Sequence, residues 1–197
     1  MNAATRTPRD EAPPRTYAAF VGPTRVAQGD LRTVLIHLKE RADRGATDGL
    51  LLFEDDTGRQ LDVDLRGTLT EVLARALPES PPPGRGRPRL GVTAREVTLL
   101  PRHWEWLERQ PQGASATLRR LVDDARRRAG DDDDKRRARE AAHRFMTTMA
   151  GDRPGYEEAL RALYAGDRDA FERRIAPWPT DVQGHARALA APSFTAE

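Results

Sequence analysis

The stretch LLLFEDDTGRQLDVDL, residues 50–65, has the sequence pattern of an antiparallel β-hairpin. The apolar run Leu50–Phe53 predicts one strand, and Asp55–Gly58 predicts a turn because aspartate and glycine favour tight turns. After the turn, apolar residues alternate with aspartates through Leu65, which predicts a second strand with one buried and one solvated face. The hairpin therefore predicts an antiparallel sheet in the N-terminal part of the chain.

The segments on either side of the hairpin extend this sheet and add two helices. Thr16–Val21 and Arg25–Gln28 have the composition of short strands. Asp30 and Thr68 are each suitable N-cap residues for an amphipathic helix that follows. The order β-β-α-β-β-α predicts a small α+β domain over residues 16–77.

A second module is predicted downstream of a linker. Residues 78–88, PESPPPGRGRP, combine stiff prolines with flexible glycines and mark a domain boundary. Residues 89–128 then predict a strand-helix-helix module, with the strand at 89–100 and the first helix opened by Pro101. The second helix carries an apolar stripe formed by Leu118, Leu121, Val122 and Ala125.

The two ends of the chain differ in character. Residues 1–15 are polar and contain prolines, so they are predicted to be a disordered tail. Residues 129–197 predict an all-α region, in which the run GDDDD at residues 130–134 is interpreted as a solvated loop between helices. The chain as a whole is predicted to be α+β, and the way its three folded regions pack is left open.

Composition excludes several kinds of site. The 197 residues include no cysteine, which rules out a disulfide scaffold, a zinc–thiolate or iron–sulfur site and a cysteine nucleophile. No apolar run approaches the roughly 18 residues of a transmembrane helix, and the N-terminus lacks the apolar centre of a signal peptide. We therefore expect a cytoplasmic protein with no membrane partner.

Positive charge is concentrated in the middle of the chain. Residues 85–128 contain 11 basic and 5 acidic residues, a net charge of +6, whereas the segments before and after them each carry a net charge of −2. A local basic block attracts anionic partners such as nucleic acid, although a solvated charged surface gives the same pattern.

The basic block opens with a motif that resembles a DNA-binding element. Arg85-Gly86-Arg87-Pro88 resembles the RGRP core of an AT-hook. The resemblance implies that Arg85 and Arg87 enter the minor groove of A·T-rich DNA and that Arg89 contacts the groove or a phosphate. A plain basic linker is the alternative.

Residues 92–128 resemble the ribbon-helix-helix fold of bacterial repressors. The resemblance implies a homodimer whose paired strands enter the major groove of DNA. Thr93 and Arg95 would then lie on the ribbon face, or Glu96 and Thr98 in the other register. A groove-facing carboxylate is unusual except opposite cytosine.

The helices of this module would supply secondary DNA contacts through Arg119 and Arg120. The first helix is several residues shorter than is typical of the ribbon-helix-helix family. A helix-turn-helix over residues 101–127 and an ordinary core hairpin therefore stay open as interpretations.

No catalytic or cofactor site is predicted. An acidic group around the hairpin has ligands suited to Mg²⁺, but it equally forms a turn and a solvated face. It comprises Glu54, Asp55, Asp56, Asp62 and Asp64. The four histidines, His37, His103, His143 and His185, are scattered singly, and none has a partner at the spacing of a metal site. His37 and His103 lie beside apolar residues and are predicted to be packing or surface residues. Because no catalytic motif is present, we expect no enzyme.

Three separated blocks, at residues 53–68, 86–126 and 139–168, resemble an uncharacterised bacterial family in the same order. The resemblance covers roughly residues 16–190. It implies a cytoplasmic bacterial protein and provides no catalytic residues.

The leading hypothesis is a DNA-binding protein, either a transcription regulator or a nucleoid-associated factor, that binds through its basic central module. An adaptor that binds other proteins is the first alternative, and a metal-assisted hydrolase that uses the acidic group is the second. Steep salt dependence of binding distinguishes DNA binding from an apolar protein interface.

Overall fold

The computed structural model describes residues 15–77 and 95–194. The chain divides into two compact units, one formed by residues 1–79 with 134–197 and the other by residues 80–133. We call the first the sheet unit and the second the central unit, and each is described by itself.

The sheet unit contains a four-stranded antiparallel sheet of order β2-β1-β3-β4. The strands are β1 Tyr17–Val21, β2 Thr24–Gly29, β3 Leu50–Glu54 and β4 Arg59–Leu61. The predicted hairpin is present as β3 and β4. The second strand of the hairpin is shorter than predicted and ends at Leu61 instead of Leu65. Val63 and Leu65 still pack on the core from irregular chain.

Two helices accompany the sheet, and both begin at the predicted caps. Helix α1, Leu31–Asp43, starts after Asp30, whose side chain accepts a hydrogen bond from the backbone N–H of Thr33 at 3.0 Å. Helix α2, Leu69–Ala76, starts after Thr68, which forms a capping box with Glu71. These side chains satisfy N–H groups that a helix otherwise leaves unpaired at its start.

Five further helical segments follow. They are α3 Pro101–Glu108, α4 Gly113–Ala150, α5 Tyr156–Ala165, α6 Arg168–Ile175 and α7 Thr180–Ala190, with a 3₁₀ turn at Ala191–Phe194. The mixture of one antiparallel sheet with these helices confirms the predicted α+β class. No helix in residues 15–77 and 95–194 is long and apolar enough to cross a membrane.

Strand β1 is apolar on both faces because both faces are covered. Ala18 and Phe20 belong to a core shared with the C-terminal helices, whereas Tyr17 and Ala19 pack with helix α1. Successive side chains of a strand point to opposite faces, so this division follows from the sequence YAAFV. The N-terminal sheet and the C-terminal helices thus share one hydrophobic core, a question that the sequence left open.

The predicted loop at residues 130–134 is wrong, because α4 runs without a break for 38 residues. Inside a helix, a glycine such as Gly130 lowers the stability of the helix by only about 1 kcal/mol relative to alanine, and an aspartate lowers it by less. Basic residues stand on both sides of the aspartates, and Asp134 pairs with Arg137 one turn later. Such pairs support helix on an exposed face.

The strand predicted at 89–100 is absent from the part of it that the structure describes. Residues 95–100 have no regular structure and are mostly exposed. A strand needs a neighbour for its backbone hydrogen bonds, and in the described chain this segment has none. The remainder of that prediction, the linker at 78–88 and almost all of the tail at 1–15 lie outside the described residues. Pro101 does occupy the first turn of α3, as predicted.

The turn between β3 and β4 lies directly on the backbone of α4. Gly58 has a φ of +64°, and a Cβ atom added there would lie 2.0 Å from the carbonyl oxygen of Ala141. Beside it, the Thr57 carbonyl accepts a hydrogen bond of 2.8 Å from Nη1 of Arg144. The turn therefore requires glycine both for its backbone conformation and for this close approach.

We predict that Gly58→Ala destabilises the protein much more than Gly45→Ala. Gly45 also has a positive φ, of +73°, but a Cβ atom added there would meet no atom within 4 Å. Gly45→Ala should therefore cost about 1 kcal/mol for backbone strain alone. Gly58→Ala should cost at least about 2 kcal/mol more, because the helix backbone must move. Urea denaturation measures both, and equal losses would contradict the close approach.

Candidate functional site

The described part of the central unit has little buried interior of its own. Within residues 95–133, only Leu107 and Thr117 are buried. Six of the eight large apolar side chains that are exposed in the described residues belong to this short segment. They are Val97, Leu100, Trp104, Trp106, Leu121 and Val122. Clustering of exposed apolar residues in one part of a protein is typical of a surface that binds something.

The apolar stripe predicted on α4 is the clearest example. Leu121 is 39% exposed and Val122 54% exposed, and Ala125 on the same side is exposed as well. Leu118 is partly buried. A stripe of this kind normally faces the core of its own protein. We call these four residues the α4 stripe.

Charged residues precede and follow Leu121 and Val122 in the sequence of α4. Arg119 and Arg120 come immediately before Leu121 and Val122, and Asp123 and Asp124 come immediately after them. A run of three arginines follows at residues 126–128. Within the helix, Arg127 forms an ion pair with Asp124.

The described part of the central unit has no excess of positive charge. Residues 95–133 contain eight basic and eight acidic residues. The net charge of +6 applies to residues 85–128, a range with different ends. That range includes three arginines that precede residue 95, and it leaves out the aspartates at 131–133.

The predicted DNA-binding residues are only partly described. Arg85, Arg87, Arg89 and Thr93 lie outside the described residues. Arg95 is exposed in irregular chain ahead of α3, without the strand that would form a ribbon. Arg119 and Arg120 are exposed on α4, and they are the two predicted contacts that the structure places side by side.

The acidic group around the hairpin is divided among different partners. Glu54 accepts hydrogen bonds from Arg15 and Thr57. Hydrogen bonds from the Arg66 side chain hold the pKa of Asp64 below its ordinary value. In residues 15–77 and 95–194, no three histidine, aspartate or glutamate side chains are grouped so as to hold a metal ion.

Asp55 has a partner that the sequence did not indicate. Its Oδ1 lies 3.3 Å from Nε2 of His185, which is 1% exposed on α7. The imidazole packs between Phe20 and Phe145, with ring centroids at 5.4 and 4.6 Å. The position of His185 beside Val182 and Leu189 on the helix could have indicated burial, but no local signal links it to Asp55.

Two open grooves in the sheet unit are lined by groups that pair with each other. The larger, about 1000 Å³, contains the ion pairs Lys39–Asp43 and Arg66–Asp64. The smaller, about 400 Å³, contains a 2.9 Å hydrogen bond between Nδ1 of His143 and the Tyr164 hydroxyl. These internal pairs explain the polar linings without a ligand, so the α4 stripe is the stronger candidate site.

We predict that Asp55→Ala lowers stability by about 1.5–3 kcal/mol, the typical contribution of a hydrogen bond to a charged group. The substitution removes the acceptor of a 2.7 Å hydrogen bond from Oγ1 of Thr16 and the acidic neighbour of His185. Asp56→Ala is the matched control, since Asp56 is exposed in the same turn and its loss should change stability by about 0.5 kcal/mol or less. Similar urea midpoints for both variants would contradict a structural role for the buried pair.

Comparison with known proteins places the chain in a family but gives it no activity. No curated protein and no solved structure is significantly similar to it. A family model described as an uncharacterized protein conserved in bacteria (DUF2239) matches residues 16–190. The match spans the hairpin, the central helices and the C-terminal helices, so the chain belongs to this uncharacterised bacterial family.

Proposed function

We propose that the protein is a cytoplasmic interaction protein that binds another protein chain through the α4 stripe. The observation that carries the proposal is the exposure of Leu121 and Val122, which are 39% and 54% exposed on α4. Removing apolar surface from water contributes about 25 cal/mol per Å², so a partner that covers the stripe gains affinity.

The neighbouring helix supports the same interpretation. Trp104 and Trp106 on α3 are 37% and 48% exposed. Tryptophan is enriched among the residues that dominate binding energy at protein interfaces. The balanced charge of residues 95–133 also fits a protein interface better than a surface built only to neutralise phosphates.

We predict that a photoreactive amino acid at position 122 forms a protein adduct on irradiation in living cells. The same amino acid at Glu157, an exposed position on α5 of the sheet unit, is the control. Mass spectrometry then identifies the adduct. Equal background labelling at positions 122 and 157 would contradict the proposal.

DNA binding is a second candidate, because Arg119 and Arg120 are adjacent and exposed on α4 and residues 126–128 follow on the same helix. In this proposal the protein is a homodimeric transcription regulator or nucleoid-associated factor. The arginines of α4 would contact phosphates, and the arginines predicted for the minor groove would add preference for A·T-rich DNA.

We predict for this second candidate that Arg119→Ala/Arg120→Ala weakens binding to duplex DNA and lowers the slope of log affinity against log salt by about 2, since each phosphate contact contributes about 0.9. Arg173→Ala/Arg174→Ala is the matched control, because these arginines are adjacent and exposed on α6. Fluorescence anisotropy across a salt series measures both variants. Absence of binding at low salt, or equal effects of the two variants, would exclude α4 as a DNA-binding element.

A further inference from the structure

We infer that residues 126–137 of α4, RRRAGDDDDKRR, form a helical connector that is held by ion pairs between its own side chains and opened by rising ionic strength. We call this segment the charged connector. The inference goes beyond the proposed function, because it concerns the state of α4 and does not require the α4 stripe to be an interface.

The charged connector receives little support from tertiary packing. Thr117 and Ala138 are buried, whereas every residue of α4 between them is exposed or only partly buried. In proteins most of the stability of a helix comes from the packing of an apolar face. The buried part of α4 from Ala138 onwards supplies such packing, but the charged connector depends mainly on interactions within α4 itself.

The backbone preferences of the charged connector act against a helix. Gly130 lies near its middle, and glycine loses more conformational freedom on folding than any other residue. A Cβ atom added at Gly130 would meet no atom of the described chain within 4 Å outside its own helix, so packing does not require the glycine. Four successive aspartates follow, and aspartate is among the weaker helix formers. A compensating interaction is therefore needed to keep this segment helical.

Opposite charges supply that interaction, because they recur at the spacing of one helical turn. Residues three or four positions apart are neighbours on the surface of a helix, and an acid four residues before a base is the more favourable order. At a spacing of three, Asp124 pairs with Arg127 and Asp134 pairs with Arg137. At a spacing of four, opposite charges stand at Arg127 and Asp131, Arg128 and Asp132, Asp131 and Lys135, Asp132 and Arg136, and Asp133 and Arg137.

Ion pairs of this kind are sensitive to salt. The side chains of Arg137 and Asp134 are 60% and 61% exposed, and salt screens the attraction between exposed charges. Each pair contributes little by itself, so the helix here depends on several pairs and weakens when all of them are screened together. The later part of α4 depends on apolar packing instead, through side chains such as Phe145 and Met146.

The boundary between the two compact units falls inside the charged connector, between Asp133 and Asp134. The α4 stripe precedes this segment, and the buried part of α4 follows it. A helical connector continues α4 across the boundary, whereas an open connector joins the two units at this point by flexible chain. Ionic strength therefore sets the state of this connection.

Amide hydrogen exchange of the full chain tests the inference directly. Between about 10 mM and about 1 M salt the Debye length falls from about 30 Å to about 3 Å, so exposed ion pairs are screened. Exchange of residues 126–137 should become about threefold or more faster at the higher salt, because several ion pairs weaken at once. Exchange of residues 142–150 should stay the same. Exchange of residues 126–137 that is independent of salt, whether fast or slow, would overturn the inference.

A protease provides an independent measure of opening. Enteropeptidase cleaves after the sequence Asp-Asp-Asp-Asp-Lys, which is Asp131–Lys135 in this chain, and cleavage follows the population of the opened segment. At low salt, Gly130→Ala should slow cleavage about fivefold, because alanine favours a helix more strongly than glycine. Arg127→Gln/Arg128→Gln should speed cleavage about two- to fivefold, because the aspartates lose two partners while the helix propensity is retained.

Two controls separate opening of the charged connector from other effects. Arg173→Gln/Arg174→Gln should leave cleavage unchanged, because these exposed arginines lie on α6. Synthetic peptides that carry each version of residues 126–140 correct for any direct effect of a substitution on the protease. After that correction, equal cleavage of the natural chain and both α4 variants would contradict the inference.

Discussion

The close contact between Gly58 and the backbone of α4 is the constraint on which the sheet unit depends. Because glycine has no Cβ, the β3–β4 turn reaches the carbonyl oxygen of Ala141 directly. The Arg144 guanidinium then secures the turn by donating to the Thr57 carbonyl. Next to this contact, the ring centroids of Phe53 on β3 and Phe145 on α4 lie 5.1 Å apart. The rings of Phe20, Phe53, Phe145 and His185 pack together in this part of the core.

The same helix has different surroundings along its length. From Ala138 to Ala150 its apolar side chains are buried in the core of the sheet unit. From Leu118 to Ala125 the corresponding side is partly or fully exposed. An isolated helix is costly to start but cheap to extend, so the buried segment can support helix through residues that bury little of their own surface. This explains how α4 stays helical through a segment that buries little of its own surface.

Local features of the fold could be predicted from the sequence, and non-local ones could not. The hairpin, the caps at Asp30 and Thr68, and the start of α3 at Pro101 each depend on residues within a few positions, and all are present. The prediction for the aspartate run is wrong because local propensity favours a break, whereas the helix on both sides overrides it. The contact between Asp55 and His185 joins residues 130 positions apart, and the shared core joins strand β1 to helix α7. A single sequence carries no signal for such distant pairs.

For the candidate site, the order of charges is more informative than their sum. The sequence identifies a basic block, and net charge points to an anionic partner. In the helix, however, arginines and aspartates alternate in short blocks around an apolar pair, and residues 95–133 balance to zero. A surface that neutralises phosphates gains affinity from its arginines and loses it where aspartates lie close by, so acidic residues offset the basic ones in this segment. The zero net charge of residues 95–133 therefore gives no reason to expect an anionic partner for these residues.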